Sequence, residues 1–276
     1  METFKRFLAG LVIFICALGL ILCFAGIIGA WMINTPLTES LTGTLDKVEV
    51  VLNTSHDRMD RINTNLIEVQ DLLTNLKEKV TEAGESLTEN SPTLTYLSNK
   101  FGADLKPKIE TTAEVVSTIR STIVSVNSSI ETANNIPFVS IPSLPMEQLS
   151  TLDQQLQEMV TTVKSLGDAI KDIEAGIVDR TTTVIMVPVE RLSELIILVQ
   201  TPVGTFNTNL FEVKTAVVNT NARIPSLIDW GSVLLTLILI WFILAQASLL
   251  YGGWYYLKTG TIPTIQISYL PNSKES

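Results

Sequence analysis

Two apolar blocks frame this chain, one from Phe7 to Ile33 and one from about Leu227 to Leu257, with a polar, Thr-rich and periodic stretch between them. Each block exceeds the roughly 20 residues needed to cross the hydrocarbon core of a bilayer. One or two ordinary globular domains would spread their apolar residues along the chain, so the 46% hydrophobic content does not describe a single core. The blocks predict transmembrane helices at 7–33 and 227–257 around a domain at 34–226. Lys5 and Arg6 also suit the start of a signal peptide. A cleaved apolar region, however, is usually about 7–15 residues long, and no small-residue cleavage site precedes the end of this one. The first block is therefore read as an uncleaved signal-anchor.

Orientation follows from charges close to the blocks. Lys5 and Arg6 precede the first and Lys258 follows the second, while the opposite flanks carry Glu39, Asp46 and an Asp229 beside Arg223. The positive-inside rule then puts 1–6 and the tail 258–276 in the cytoplasm and 34–226 outside, across a plasma or inner membrane. Trp31 and Trp230 fall at the outer interface, and Trp254, Tyr255 and Tyr256 at the inner one, where amphipathic rings prefer to sit.

Between the blocks the apolar residues keep the spacing of a coiled coil. From Leu41 they step by four and three through Leu45, Val48, Leu52, Met59, Ile62, Leu66, Val69, Leu73, Leu76, Val80 and Ala83 to Leu87, broken only by Ser55. Asn90-Ser91-Pro92 ends that run, because proline cannot continue a helix. Weaker and stronger versions of the stripe follow, with a break at Ile136 to Pro145 and a kink or fresh start expected at Pro107. They predict helices at about 38–89, 94–135, 146–179 and 189–222, with Thr181–Thr183 and Pro188 ahead of the fourth and a bend at Pro202 and Gly204. A chain that leaves the membrane near residue 34 and returns near 226 needs an even number of long segments. The predicted fold is all-α: two transmembrane helices flanking a long antiparallel extracytoplasmic bundle or coiled coil of about four helices. The first helix alone would reach roughly 70 Å at about 1.5 Å per residue.

Within the first block Ala9, Cys16, Gly19, Cys23, Gly26 and Ala30 share one helical face, and Ala245, Ser248 and Gly252 form a similar set in the second. Small side chains let membrane helices approach closely, so these positions are the expected packing sites. Gln246 is the one amide inside a block, placed either to donate to a neighbouring helix or to tolerate the inner interface. The apolar loop residues Phe138, Val139, Ile141 and Leu144 are candidates for capping the bundle base or touching lipid.

Chemistry is sparse. His56 is the only histidine, on a flank of the first stripe near Asp57 and Asp60, which reads as a wet helix face. No Cys/His cluster, phosphate-binding glycine loop or nucleophile arrangement is present in the sequence. Catalytic and metal sites are therefore expected to be none, as are cofactors. The only cysteines, Cys16 and Cys23, lie in the first block and leave the middle domain without a disulfide. The net charge of −9 falls almost wholly on that domain, which argues against nucleic acid as a partner. Asn53 and Asn127 stand in glycosylation sequons.

The layout of span, helical bundle and span resembles the sensor half of bacterial chemoreceptors and related kinases, over about the first 250 residues and with no family motif behind it. It departs from them after the second block, where only about twenty residues follow in place of a signalling domain. The expected role is that of a non-enzymatic membrane-anchored coiled-coil scaffold or spacer, partnered by the bilayer and by itself or another membrane protein. The alternative is a sensor or accessory subunit that signals through a partner. A small-molecule ligand has no support in the residues.

Overall fold

The computed structural model describes residues 2–83, 92–137, 139–176 and 182–260, and these are almost entirely helical, with no strand among them. The elements are α1 (Glu2–Glu82), α2 (Pro92–Lys100), a π-helical turn (Phe101–Leu105), α3 (Lys106–Asn134), α4 (Met146–Glu174) and α5 (Thr182–Thr259). α1 and α5 are each long and apolar enough in part to cross a membrane.

By its internal contacts the chain divides into two compact units. The first joins residues up to Ser40 with those from Arg223 onward; the second comprises Leu41–Ala222. Neither boundary coincides with a helix end, since α1 and α5 run through both.

In the second unit the heptad positions are the buried ones. Leu45, Val48, Leu52, Met59, Ile62, Leu66, Val69, Leu73, Leu76 and Val80 line the inner face of α1, and Ser55 is buried among them at 3% exposure. α4 presents Leu149, Leu152, Leu156, Met159, Val163, Leu166, Ile170 and Ile173 in the same rhythm. Each such side chain contributes about 1.5–3 kcal/mol when fully removed from water, so this stripe is the main source of stability in a unit without disulfides. Polar pairs connect the rims. Lys108 of α3 meets Glu68 of α1, and Arg120 of α3 meets Asp153 of α4 at 3.0 Å. Arg191 of α5 meets Glu158 of α4. Lys77 and Glu190 pair at 3.2 Å, Gln70 and Gln200 at 3.0 Å, and Asp46 and Asn221 at 2.6 Å. Positions rise along α1 as their partners fall along α5, so these two helices run in opposite directions.

Prolines inside the two long helices do not end them. Pro36 lies inside α1, and α5 begins at Thr182, ahead of Pro188, and continues through Pro202, Gly204 and Pro225. An internal proline costs about 3 kcal/mol through a lost hydrogen bond and a ring clash. Here the residues around it are held by packing: Ile185 and Val189 around Pro188, Val199 and Val203 around Pro202, and Ile224 beside Pro225 are all buried. The predicted start of the fourth helix at 189 is thus corrected to 182. The predicted second helix at 94–135 is divided by the π turn, just before Pro107. α4 closes at Glu174 rather than 179, with Gly176 at φ 69°, a left-handed conformation that favours glycine. The expected end of the first helix at 89 lies outside the described residues.

Candidate functional site

Three constellations carry polar or close-packed contacts worth weighing as functional. The first is the face between the two apolar segments, all within one unit. Cys16 and Cys23 are buried, Ala9 and Ala30 half-buried. A Cβ added to Gly19 would come within 2.8 Å of Gln246 Cδ, and one added to Gly26 within 3.2 Å of Leu239. On α5 the matching face is Ser232, Thr236, Leu239, Ile243, Gln246, Leu250 and Gly253, all buried or half-buried. Ala245 and Ser248 are exposed instead, and Gly252 has open space where a side chain would go. These three small residues of the second block therefore lie off the contact face, while Gly253, where an added Cβ would come within 3.1 Å of Ile13, lies on it. Size alone did not select the face, because a hollow on one helix is filled by a larger side chain on the other: Gly19 receives Gln246 and Gly26 receives Leu239. Gln246 Oε1 is left buried without a hydrogen-bond partner in that hollow.

Near one end of this face stands a polar cluster that the sequence reading missed. Asn34, 8% exposed, donates from Nδ2 to Asp229 Oδ1 at 3.0 Å and to Ser232 Oγ at 3.1 Å. Trp31 Nε1 donates to Thr236 Oγ1 at 3.2 Å. A buried amide is stable only when its donors and acceptors are met, so this cluster fixes the register of the two helices. The only signal in the sequence was an Asn in helical phase with the small-residue face, three residues beyond Trp31.

The second constellation is the loop between α3 and α4. Val139, Ile141 and Leu144 are buried, and Phe138 lies outside the described residues. Asn134 donates to the Ile141 carbonyl at 2.9 Å and accepts from its N–H at 2.7 Å. Asn127 treats Leu144 the same way, with both contacts at 2.9 Å. Each amide thus matches the paired donor and acceptor of one backbone residue and satisfies groups that an irregular segment would leave orphaned. The Asn127 sequon is consequently occupied in the fold: Nδ2, the atom a glycan would be joined to, is committed to Leu144.

The third surrounds His56. Asn207 Nδ2 donates to Asp60 Oδ1 at 2.7 Å, which turns its Oδ1 toward His56 Nδ1 at 2.5 Å. His56 Nδ1 therefore carries the hydrogen. Asp60 also lies 3.7 Å from Nε2, and the Phe211 ring stands 6.3 Å away, centroid to centroid. The histidine read as a wet helix face is a half-buried link between α1 and α5. Among the described residues no three His, Cys, Asp or Glu side chains converge as a metal site would require.

No family model, curated protein or solved structure matches the chain.

Proposed function

We propose that this protein is a non-enzymatic, membrane-anchored helical scaffold or spacer. In this reading both termini lie in the cytoplasm, and residues 34–226 form an antiparallel four-helix bundle on the extracytoplasmic face. The observation that carries it is the continuity of the apolar seam. Two of the positions where a hollow would show are filled: Ser55, the break in the first stripe, is buried among core neighbours, and the Phe101 ring occupies the space beside Gly167, where an added Cβ would fall 2.6 Å from its Cζ. Filled at these two places, the seam among the described residues resists compression and leaves no chamber there for a small ligand. The third position of interest, Gly84, lies outside the described residues. The rim pairs linking α1 to α3, α3 to α4, α4 to α5 and α5 back to α1 support a closed bundle.

Support for the membrane comes from what the apolar unit leaves uncovered. Phe14, Ile21, Met32 and Trp241 are each about two-thirds exposed, which is costly in water and neutral in hydrocarbon. The alternative, a sensor or accessory subunit, draws on α1 and α5 each being one unbroken helix shared by both units, able to carry a small axial or tilting motion.

Labelling of intact cells with a membrane-impermeant maleimide tests the topology. Thr161→Cys on the exposed face of α4 should react from outside, Ser273→Cys only after permeabilisation, and the unaltered chain not at all. The reverse pattern would overturn the reading. Crosslinking in native membranes separates the two roles: recovery of a second membrane protein favours the accessory subunit, and recovery of this chain alone favours the scaffold.

A further inference from the structure

The outward faces of the helices in the second unit differ in one respect. Those of α1, α3 and α4 carry charges at regular intervals, among them Asp57, Asp71, Glu114 and Asp168. α5 has none from Leu195 to Phe211, a long uncharged run for a chain of net charge −9. Along its exposed side Ile197, Thr201, Gly204, Thr208, Phe211 and Val218 follow one another in steps of three, four or seven. Ile197 is 58% exposed and Phe211 55%. This is a second seam, turned away from the core that the same helix buries through Val199, Val203, Phe206 and Leu210.

We infer that this outer seam of α5 is the interface at which a second copy of this chain docks, α5 against α5 in parallel, making the scaffold a two-fold dimer. The inference rests on the membrane anchorage proposed above, because two copies held in one bilayer with the same topology can meet only side by side and pointing the same way. A two-fold axis along such a seam brings each residue against its own counterpart. Any charge near the axis would then face an identical charge, so an interface of this kind has to be uncharged where the rest of an acidic surface need not be. Within α5 the seam meets that condition, with apolar residues at Ile197, Phe211 and Val218 and small or short ones between them, and Glu147 of α4 flanks it beside Thr201 and Thr205. The rim positions that parallel packing pairs, Gln200 with Thr205 and Asn207 with Glu212, also hold no like charges.

Cysteine crosslinking of the full chain in its membrane tests this, since the middle domain has no thiol of its own. Thr201→Cys and Thr208→Cys should each give a disulfide-linked species of twice the chain mass under mild oxidation, because symmetry brings each thiol to its own copy. Thr118→Cys on α3 and Thr161→Cys on α4 should not. Thr208→Glu, an exposed change outside the core, should lower the yield from Thr201→Cys by at least about tenfold through like-charge repulsion at the axis. Absence of seam dimers, equal yields at seam and control positions, or an adduct of another mass would each overturn the inference. Outside labelling of Thr161→Cys without seam dimers would sink the interface and leave the anchorage reading intact. Failure of that labelling would remove the anchorage itself.

Discussion

At the scale of single residues, the asparagines matter more than the charges. Asn34, Asn127, Asn134 and Asn207 each bond to a residue on another segment, and a primary amide can give and take at once where a carboxylate or ammonium cannot. The clearest case is Asn127, which meets both the N–H and the carbonyl of Leu144. Asn127→Ala should destabilise the second unit by about 1–3 kcal/mol, the cost of leaving half-buried backbone groups unpaired. Asn127→Asp should be no better, because its second oxygen would face the Leu144 carbonyl. Urea denaturation of the full chain in detergent, with exchange of the Leu144 amide followed in parallel, measures both. Full retention of stability by the Asp variant would show that the donor half of the contact is idle.

At the scale of elements, the π turn shows how a sequence irregularity is absorbed. From Leu97 the apolar residues step by four through Phe101, Leu105 and Ile109 to Ala113, without the alternating threes found elsewhere. Four residues of α-helix over-rotate by about 40°, so the stripe would drift off the core. A turn with wider bonding takes up the excess. It also makes room for the Pro107 ring, which in a regular helix would press on the carbonyl of Ala103, inside the turn. The turn carries the Phe101 ring onto Gly167. Across it, Lys100 donates to Asp104 at 2.7 Å, and that bond holds the ammonium above its usual range. A raised lysine pKa stabilises at pH values below its ordinary range and is lost as pH climbs through the raised value, so neutral and acidic lysine behaviour is unchanged by it. Gly167→Val should cost about 1–3 kcal/mol by overpacking against Phe101. Phe101→Leu in the same chain should recover part of it, giving a coupling of at least about 0.5 kcal/mol in a double-mutant cycle. Additive effects would mean that the ring and the glycine do not share the space.

At the scale of the whole molecule, the two units differ in what they leave exposed. Leu41–Ala222 buries an apolar seam, while the other unit leaves large apolar side chains exposed on two segments long and apolar enough to cross a membrane; in the proposed bilayer, hydrocarbon would offer no competitor for their backbone bonds. Urea acts from the water. Titrating the full chain in detergent micelles should therefore abolish only part of the helical circular dichroism signal, leaving a plateau from the residues around Cys16, Gly19 and Leu239. A single transition that removes all of the signal would mean that the units depend on one another for folding.

The amino-acid pattern by itself determined the all-helical class, the two apolar segments and which residues line the buried stripes, because each follows from a period of three and four or from a run of apolar side chains. Small-residue spacing likewise marked Gly19 and Gly26 on α1. What only the tertiary structure decided was the partner side: α5 turns Leu239 and Gln246 toward α1 in place of Ala245 and Ser248, since a hollow on one helix sets no rule for the size of what fills it. The same holds for the prolines, which local propensity reads as breaks and packing overrides. It holds also for Asn34, Asn127 and Asn207, whose partners lie on other segments. Periodicity is local and survives in one dimension; complementarity exists only between surfaces, and the fold has to bring those together.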